Sequence, residues 1–188
     1  MNSEEARQDR ERGLAFVVKS QLLSVEDVSR ALTRMAHEII ERNLSVEKLI
    51  IVGLQRGGVA IAERLAKQLA HIAGVPVRFE TLDVSFYRDD IGWNPLKISS
   101  RTTLSGNLAG STVVLVDDVL FTGRTIRAAL QALSDWGRPD AVQLAVLVDR
   151  GHRELPIRPD FVGKNLPTSL SESVRASLEG VWLGVKPQ

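Results

Sequence analysis

The sequence predicts an α/β domain with three layers and a largely parallel sheet. Apolar segments of strand length alternate with amphipathic helical segments along the 188-residue chain, and two of the apolar segments, Lys48–Gly53 and Thr112–Val116, are almost uninterrupted. Uninterrupted apolar strands are typical of parallel sheets that helices cover on both faces. With 44% hydrophobic and 25% charged residues, the composition fits one domain of ordinary size.

Composition and charge exclude several classes of function. The net charge is only +1, so any contact with nucleic acid needs a local basic patch. The chain has no cysteine, which excludes disulfides, thiolate metal sites and a cysteine nucleophile. No apolar run is long enough to cross a bilayer, and Met1–Gly13 lacks the apolar segment of a secretory signal. We expect a cytoplasmic protein with a charged, mobile tail over residues 1–21 and one domain over residues 22–188.

The first half of the chain predicts two helices and two strands. Ser24 and Asp27 form a capping-box pattern, and a helix follows with one apolar and one polar face. The apolar face carries Val28, Leu32, Met35 and Ile39, and the polar face carries Arg30, Thr33, Arg34, His37 and Glu41. The next predicted elements are a strand at Lys48–Gly53, a tight loop at Gln55–Gly58, a helix at Val59–His71 and a strand at Val75–Val84.

The second half begins with a long irregular insert, Ser85–Ser111. It is polar, contains Gly and Pro and lacks periodicity, which is typical of a functional or mobile segment. Thr112–Val116 is then the clearest strand, and the helix after it ends before Gly137 and Pro139. The buried face of that helix is predicted from Ile126, Ala129, Leu130 and Leu133, and the later strands from Ala141–Val148, Phe161–Gly163 and Val181–Val185.

Two adjacent carboxylates, Asp117 and Asp118, end the strand Thr112–Val116. Negative charges at the end of a buried strand are costly unless they bind something, and ionised carboxylates accept hydrogen bonds from hydroxyls such as those of a sugar diol. Thr122–Thr125 then opens a helix, where free backbone N–H groups suit a phosphate and Gly123 allows a close approach. This spacing indicates a site for ribose 5-phosphate.

The alternative is a chance pair of aspartates beside an ordinary threonine N-cap. Two other phosphate-binding motifs are excluded. The segment is not a Walker A loop, because no Gly-Lys-Ser/Thr follows, and it is not a dinucleotide fingerprint, because the glycine spacing is absent.

Val113–Thr125 resembles the signature with which type I phosphoribosyltransferases bind 5-phosphoribosyl-1-pyrophosphate (PRPP). Other segments resemble one branch of that family, the bifunctional pyrimidine operon regulators and uracil phosphoribosyltransferases. The resemblance spans Leu22–Ser173 and implies the type I fold, with the insert at residues 85–111 as a flexible hood. The segments that carry it besides the signature are Ala31–Asn43, Tyr87–Asp90, Leu144–Arg158 and Val162–Ser169.

The resemblance implies a role for each part of the site. Asp117 and Asp118 would bind the ribose hydroxyls, and Arg88 in the hood would contact pyrophosphate and complete the catalytic set. Thr122–Thr125 would hold the 5-phosphate. The implied pyrophosphate loop is Gln55, Arg56, Gly57 and Gly58, and the implied base-binding residues are Val162, Gly163 and Lys164. The implied PRPP-binding residues are Val113, Val114, Leu115, Val116, Asp117, Asp118, Val119, Leu120, Phe121, Thr122, Gly123, Arg124 and Thr125.

The implied reaction converts PRPP and uracil into UMP and pyrophosphate, with Mg²⁺ held through PRPP and not directly by protein ligands. Two positions differ from the resembled proteins. Phe121 stands where the purine enzymes of the family have a carboxylate, which favours a pyrimidine base. Gly57 stands where the regulators usually have Arg, and the arginine of this loop is Arg56. The second difference keeps open a regulator with vestigial catalysis.

The resemblance also implies binding to a pyrimidine operon leader mRNA when UMP or UTP occupies the site. The implied RNA face combines the polar face of the first helix with a basic cluster before the base-binding segment, and such a face can contact phosphates and 2′-hydroxyls. The alternatives are an ordinary solvated helix face and a cluster that lines the phosphate side of the site. The implied RNA-binding residues are Thr33, Arg34, His37, Arg42, His152, Arg153, Arg158 and Lys164.

Two further expectations concern partners. The resemblance implies a homo-oligomer, a dimer or larger, without a membrane partner. A phosphoribosyltransferase for another base, with no RNA role, is the remaining alternative.

Overall fold

The computed structural model describes residues 16–87 and 102–185. Arg88 and residues 89–101 of the expected hood lie outside these described residues. Within them, no helix is both long and apolar enough to cross a membrane. The helices are α1 Val25–Arg42, α2 Gly58–Ala73 and α3 Arg124–Leu133. The strands are β1 Val17–Leu23, β2 Leu49–Leu54, β3 Arg78–Leu82, β4 Thr112–Leu120, β5 Ala141–Asp149, β6 Phe161–Asn165, β7 Ser173–Ser177 and β8 Gly180–Val185.

A five-stranded parallel sheet in the order β3-β2-β4-β5-β6 forms the centre of the domain. Its buried residues point alternately to two apolar clusters. One cluster joins the sheet to α1 and α2, for example through Met35, Leu65 and Val114, and the other joins it to α3 through Ile126 and Leu115. The predicted three-layer α/β class with a largely parallel sheet is therefore confirmed.

The start of α1 agrees with its sequence pattern. The Ser24 hydroxyl accepts a hydrogen bond from the Asp27 amide at 3.2 Å, and the Ser24 amide donates to the Asp27 carboxylate at 2.9 Å. This reciprocal capping box satisfies two amides that the first turn would otherwise leave without partners. The cap fixes where α1 begins, and the apolar stripe fixes which face of α1 is buried.

The central strand β4 is longer than its apolar run. It was expected to end at Val116, before the two aspartates, but it continues through Asp117 and Asp118 to Leu120. The reason is its neighbour, because β5 runs beside it as far as Asp149, which pairs with Leu120. Backbone pairing therefore carries the two acids into the sheet itself.

A second, antiparallel sheet of order β1-β8-β7 packs beside the main one. Val17 of β1 lies opposite Val185 of β8, so the chain is already part of the domain at residue 17. The expected tail over residues 1–21 and the domain start at residue 22 are corrected accordingly, because the boundary lies before β1. The strand was missed because Val17 and Val18 are about half exposed and the segment lacks a clear alternating pattern.

The C-terminal end of the expected hood is anchored to the domain. The Thr81 amide donates to the Thr103 hydroxyl at 2.9 Å, and the Asp83 amide donates to the Thr102 hydroxyl at 3.1 Å. Leu108 is fully buried in the α3 cluster. Residues 102–111 thus contain packed and hydrogen-bonded positions, although the segment has no periodicity that predicts them.

Candidate functional site

The two acids of β4 lie at the carboxyl edge of the parallel sheet, where ligands of such sheets bind. Asp117 is 8% exposed. The Asp118 amide donates to the Asp117 carboxylate at 3.0 Å, and the Val119 amide donates to the Asp118 carboxylate at 2.8 Å. Each carboxylate accepts a hydrogen bond from the following amide, and carboxylate oxygens are also the acceptors that suit a hydroxyl-bearing ligand.

Burial raises the pKa of the Asp118 carboxyl, and hydrogen bonds from Asp117 and from nearby backbone amides oppose the shift. The cause is desolvation, which disfavours the charged form of an acid. The ionised form of Asp118 therefore costs more free energy in the folded chain than in water, and a ligand that donates hydrogen bonds to it lowers that cost. This is the property expected of a binding residue rather than of a residue that stabilises the fold.

The glycine-containing loop Gln55–Gly58 lies directly against the acidic pair. A Cβ on Gly57 would lie 2.2 Å from an Asp118 carboxylate oxygen, and a Cβ on Gly58 would lie 2.2 Å from the Val116 carbonyl oxygen. No side chain fits at either position without movement of a neighbour. The loop after β2 and the acids of β4, which the sequence predicted as two parts of one site, are in contact.

The expected phosphate loop connects β4 to α3. Gly123 has φ of 93°, a left-handed conformation that other residues rarely adopt, and α3 begins at the next residue. The first amides of a helix have no partner within the helix and carry the positive end of its dipole. Arg124 forms an ion pair with Glu154 at 2.6 Å, so its side chain points to the β5–β6 connection.

That connection, residues 150–160, holds the phosphate loop in place. The Glu154 amide donates to the Thr122 carbonyl at 3.0 Å. The Arg153 guanidinium donates to the carbonyl oxygens of Phe121 at 2.7 Å and Ile157 at 3.0 Å, and it pairs with the Asp149 carboxylate. Arg153 was predicted as an RNA-binding residue, but its guanidinium is hydrogen-bonded within the protein, to Phe121 beside the loop, to the β5–β6 connection and to Asp149.

Arg150 and Phe121 form a contact that the sequence did not reveal. Arg150 is 6% exposed, and its guanidinium carbon lies 4.1 Å from the centroid of the Phe121 ring. It also donates to the Thr168 hydroxyl at 3.1 Å and to the Glu172 carbonyl at 2.8 Å, and burial lowers the pKa of Arg150. The only signal in the sequence was one more arginine beside a basic cluster.

His152 completes this cluster from the other side of Phe121. Its ring meets the Phe121 ring edge to face, with the centroids 5.9 Å apart, and a ring nitrogen is hydrogen-bonded to the Thr168 carbonyl. His152 was also predicted to bind RNA. His152 is partly buried and its ring contacts Phe121, which agrees with the alternative that this cluster lines the phosphate side of the site.

The first-helix residues of the expected RNA face are all exposed: Thr33, Arg34, His37 and Arg42. The Arg34 guanidinium donates to the carbonyls of Val162 at 2.9 Å and Gly163 at 2.7 Å, in the expected base-binding segment. Arg34 and Lys164 line one groove of about 590 Å³ between α1 and β6.

The other predicted residues differ in their surroundings. Arg42 pairs with Asp160 at 2.9 Å. Arg158 is exposed, and within residues 16–87 and 102–185 it has no ion pair. Arg88 lies outside the described residues.

The fold and these loops agree with one class of protein. Residues 19–174 match the family model described as Phosphoribosyl transferase domain. A hypoxanthine phosphoribosyltransferase from Staphylococcus aureus has a similar structure, with a TM-score of 0.66 and 18% identity over 100% of this chain and 98% of that one. A hypoxanthine phosphoribosyltransferase from Trypanosoma cruzi, in complex with the product IMP, has a TM-score of 0.65. It is 19% identical, and the match covers 90% of this chain and 91% of that one. These structural matches establish the fold.

More similar relatives carry the name Bifunctional protein PyrR. The chain is 53% identical to the one from a Roseiflexus species, over 89% of this chain and 92% of the relative. It is 56% identical to that of Brevibacillus brevis, over 88% of this chain and 93% of the relative. It is 54% identical to that of Deinococcus radiodurans, over 86% of this chain and 88% of the relative. The chain therefore belongs to the phosphoribosyl transferase domain family and, within it, to the PyrR proteins, which confirms the resemblance predicted from its motifs.

We predict that Asp118→Asn stabilises the ligand-free protein. Because the folded-state pKa of Asp118 is raised, the folded chain holds a proton that the unfolded chain releases, and stability falls as pH rises through the window from the ordinary pKa of 3.8 to the raised value. The Tm of the variant should therefore match that of the wild type below that window and exceed it above. Thermal unfolding from pH 3 to 8 measures this, with exposed Glu179→Gln as the control. A lower Tm for the variant at pH 8 would contradict the assignment.

We also predict that Arg153→Ala weakens the fold while Arg158→Ala does not. Removing the Arg153 guanidinium leaves the partly buried Asp149 carboxylate and several carbonyls without their donor. The expected loss is about 2 kcal/mol of unfolding free energy, measured by urea denaturation. Equal stability of the two variants would show that the Arg153 contacts do not hold the loop.

Proposed function

We propose that this protein is a uracil phosphoribosyltransferase, which converts uracil and PRPP into UMP and pyrophosphate, and that it also regulates pyrimidine biosynthesis genes by binding leader mRNA when a uridine nucleotide is bound. One observation carries the enzymatic part. The glycine loop after β2 lies so close to the acids of β4 that a Cβ added to Gly57 would be 2.2 Å from an Asp118 carboxylate oxygen. The names and high identity of the PyrR relatives support the assignment of both activities.

Asp117 and Asp118 bind the ribose of PRPP in this proposal. Their carboxylates accept hydrogen bonds from the two ribose hydroxyls, which replaces the hydration that burial removed and offsets the unfavourable ionisation of Asp118. Thr122–Thr125 and the N-terminus of α3 hold the 5-phosphate through backbone amides and hydroxyls. Two arginines support this loop through Phe121. Arg153 donates to the Phe121 carbonyl, and Arg150 packs on the Phe121 ring.

The reaction is a substitution at the anomeric carbon of the ribose. The bond to pyrophosphate breaks, positive charge develops on the sugar, and N1 of uracil forms the new bond and gives up its proton to the released pyrophosphate or to water. The loop Gln55–Gly58 stabilises the departing pyrophosphate through backbone amides and the Arg56 side chain, which is exposed. Such a site works mainly by positioning its reactants and by placing donors where charge develops.

Mg²⁺ fits this site as a companion of PRPP. The carboxylates of Asp117 and Asp118 are oxygen donors of the kind that hard cations accept, and they lie beside the pyrophosphate loop. Bound with PRPP, the ion neutralises charge on the leaving pyrophosphate. We propose that PRPP holds the ion and that Arg88 contributes to the same end of the site.

Phe121 supports a pyrimidine as the base. A benzene ring cannot accept a proton, and Arg150 covers one face of it at 4.1 Å. The purine enzymes that the sequence resembles have a carboxylate at this position. We propose that the base lies by Val162, Gly163 and Lys164, whose backbone groups are the donors and acceptors that uracil requires.

The RNA role is supported by exposed polar and basic side chains on α1 and β6. Arg34 and Lys164 line one groove, and Thr33 and His37 are exposed on the same helix as Arg34. The cationic side chains suit phosphates, and the hydroxyl of Thr33 suits a 2′-hydroxyl. We further propose a cytoplasmic homo-oligomer, as the family resemblance implies.

The enzymatic part is tested by incubating the purified chain with PRPP, Mg²⁺ and either uracil or hypoxanthine, and measuring the nucleotide formed. We expect UMP and no IMP. Asp117→Asn should lower kcat/KM for PRPP about 10- to 100-fold, because one acceptor for a ribose hydroxyl becomes partly a donor. Glu179→Gln is the matched control on an exposed carboxyl. A folded sample that binds PRPP but forms no UMP would refute catalysis.

The regulatory part is tested by a gel shift with a pyrimidine operon leader hairpin, with and without UMP. Binding should be tighter with UMP and should weaken as salt rises, because phosphate contacts release counterions. A scrambled hairpin of equal length is the control. Absence of binding at low salt would leave an enzyme without an RNA function.

A further inference from the structure

Arg34 connects the expected RNA face to the expected base-binding segment. One of its terminal nitrogens donates to two successive carbonyls of β6, at 2.9 Å to Val162 and 2.7 Å to Gly163. Its other terminal nitrogen pairs with Glu38 on the next turn of α1 at 2.5 Å. The guanidinium thus bridges helix and strand, although the side chain is 50% exposed.

The position of β6 in the sheet makes this contact important. β6 is the last strand of the sheet, so β5 is its only strand neighbour there. The outward backbone groups of an edge strand have no ladder partner and must find side chains or water. Hydrogen bonds from a charged guanidinium are shorter and stronger than neutral ones. Arg34 therefore supplements the pairing of β6 with β5 by donating to the Val162 and Gly163 carbonyls.

Neighbouring arginines of α1 do not make this connection. Arg30 lies one turn earlier and lines the same groove, but it pairs with Asp27 of its own helix at 2.6 Å. Arg42 pairs with Asp160, outside the base-binding segment, at 2.9 Å. Among these three arginines, Arg34 alone reaches the backbone at Val162 and Gly163, and Arg30 offers a matched control.

We propose that Arg34 is a positioning residue for the base-binding backbone, and that through it nucleotide binding and RNA binding strengthen each other. The inference rests on the proposed function of Val162–Lys164 and of the α1 face. A nucleotide that orders β6 also fixes the Arg34 guanidinium, whose remaining N–H donors then meet an RNA phosphate already oriented. By linkage, RNA must raise the affinity for UMP by the factor by which UMP raises the affinity for RNA.

The experiment compares the wild type with Arg34→Ala, Arg34→Lys and Arg30→Ala. For Arg34→Ala we expect KM for uracil and Kd for UMP to rise about tenfold, the loss of one charged hydrogen-bonding group, while KM for PRPP stays unchanged. The ratio of RNA affinities with and without UMP should fall to about 1. Arg34→Lys should recover part of both effects. Arg30→Ala should keep the wild-type ratio and the wild-type KM for uracil, whatever it does to RNA affinity.

Three results would overturn the proposal. If Arg34→Ala weakens RNA binding equally with and without UMP and leaves KM for uracil unchanged, Arg34 is an RNA contact only. If kcat and Tm fall while KM for uracil and Kd for UMP do not change, the role is structural. If Arg30→Ala also lowers the ratio of RNA affinities with and without UMP to about 1, the coupling comes from general positive charge on α1.

Two further measurements separate this proposal from the proposed function. If the wild type binds no RNA, the regulatory function fails, but KM for uracil still decides the positioning role. If it has no turnover, Kd for UMP decides it by calorimetry. Should Arg34→Ala not fold, Glu38→Gln removes only the ion pair that steadies the guanidinium, and an unchanged Kd for UMP in that variant would refute the proposal.

Discussion

The parallel pairing of β4 with β2 on one side and β5 on the other is the constraint on which the whole site depends. Leu49 to Gly53 of β2 run in register with Thr112 to Val116 of β4, so the loops that follow them open at one edge of the sheet. Close contact is possible because Gly58 has no side chain to meet the Val116 carbonyl. The pairing with β5 extends further and brings the connection that contains Arg150 and Arg153 to the same edge. The acids, the glycine loop and the phosphate loop are therefore adjacent because of backbone hydrogen bonding.

Acidic and basic side chains occupy different positions at this edge of the sheet. The acids lie at the carboxyl end of β4, and burial raises the pKa of Asp118. The arginines lie behind the phosphate loop and donate to carbonyls, as Arg153 does to Phe121 and Arg150 to Glu172. The cations thus rigidify the backbone that meets the ligand, and a preformed site binds and orients a charged substrate at a lower entropic cost. This arrangement agrees with a phosphoribosyltransferase that positions PRPP and leaves the bond breaking largely to the substrate.

The edge strand β6 gives the proposed enzyme and the proposed regulator a common element. Its backbone is where the base is expected, and its outer side meets α1, which carries the exposed Thr33, Arg34 and His37. An edge strand suits such a double role, because its outward groups are available to a partner other than a strand. The position of Arg34 on a polar helix face predicts contact with solvent or with RNA. In the structure, its guanidinium donates hydrogen bonds to the carbonyls of Val162 and Gly163.

The sequence by itself determined the α/β class, the capping box at Ser24, the acidic pair and the loops around it, because these depend on local patterns of apolar spacing, glycine and charge. It did not predict β1, whose Val17 and Val18 are half exposed, or the extension of β4 through Asp117 and Asp118, which neighbouring strands impose. Only the tertiary structure decided which of the basic residues are engaged. The sequence does not distinguish four of the arginines. Arg150 is buried on an aromatic ring and Arg153 donates to the Phe121 carbonyl. Arg34 donates to an edge strand, and Arg158 is exposed. The reason is physical, since a guanidinium takes its role from the acceptors that distant segments bring within reach.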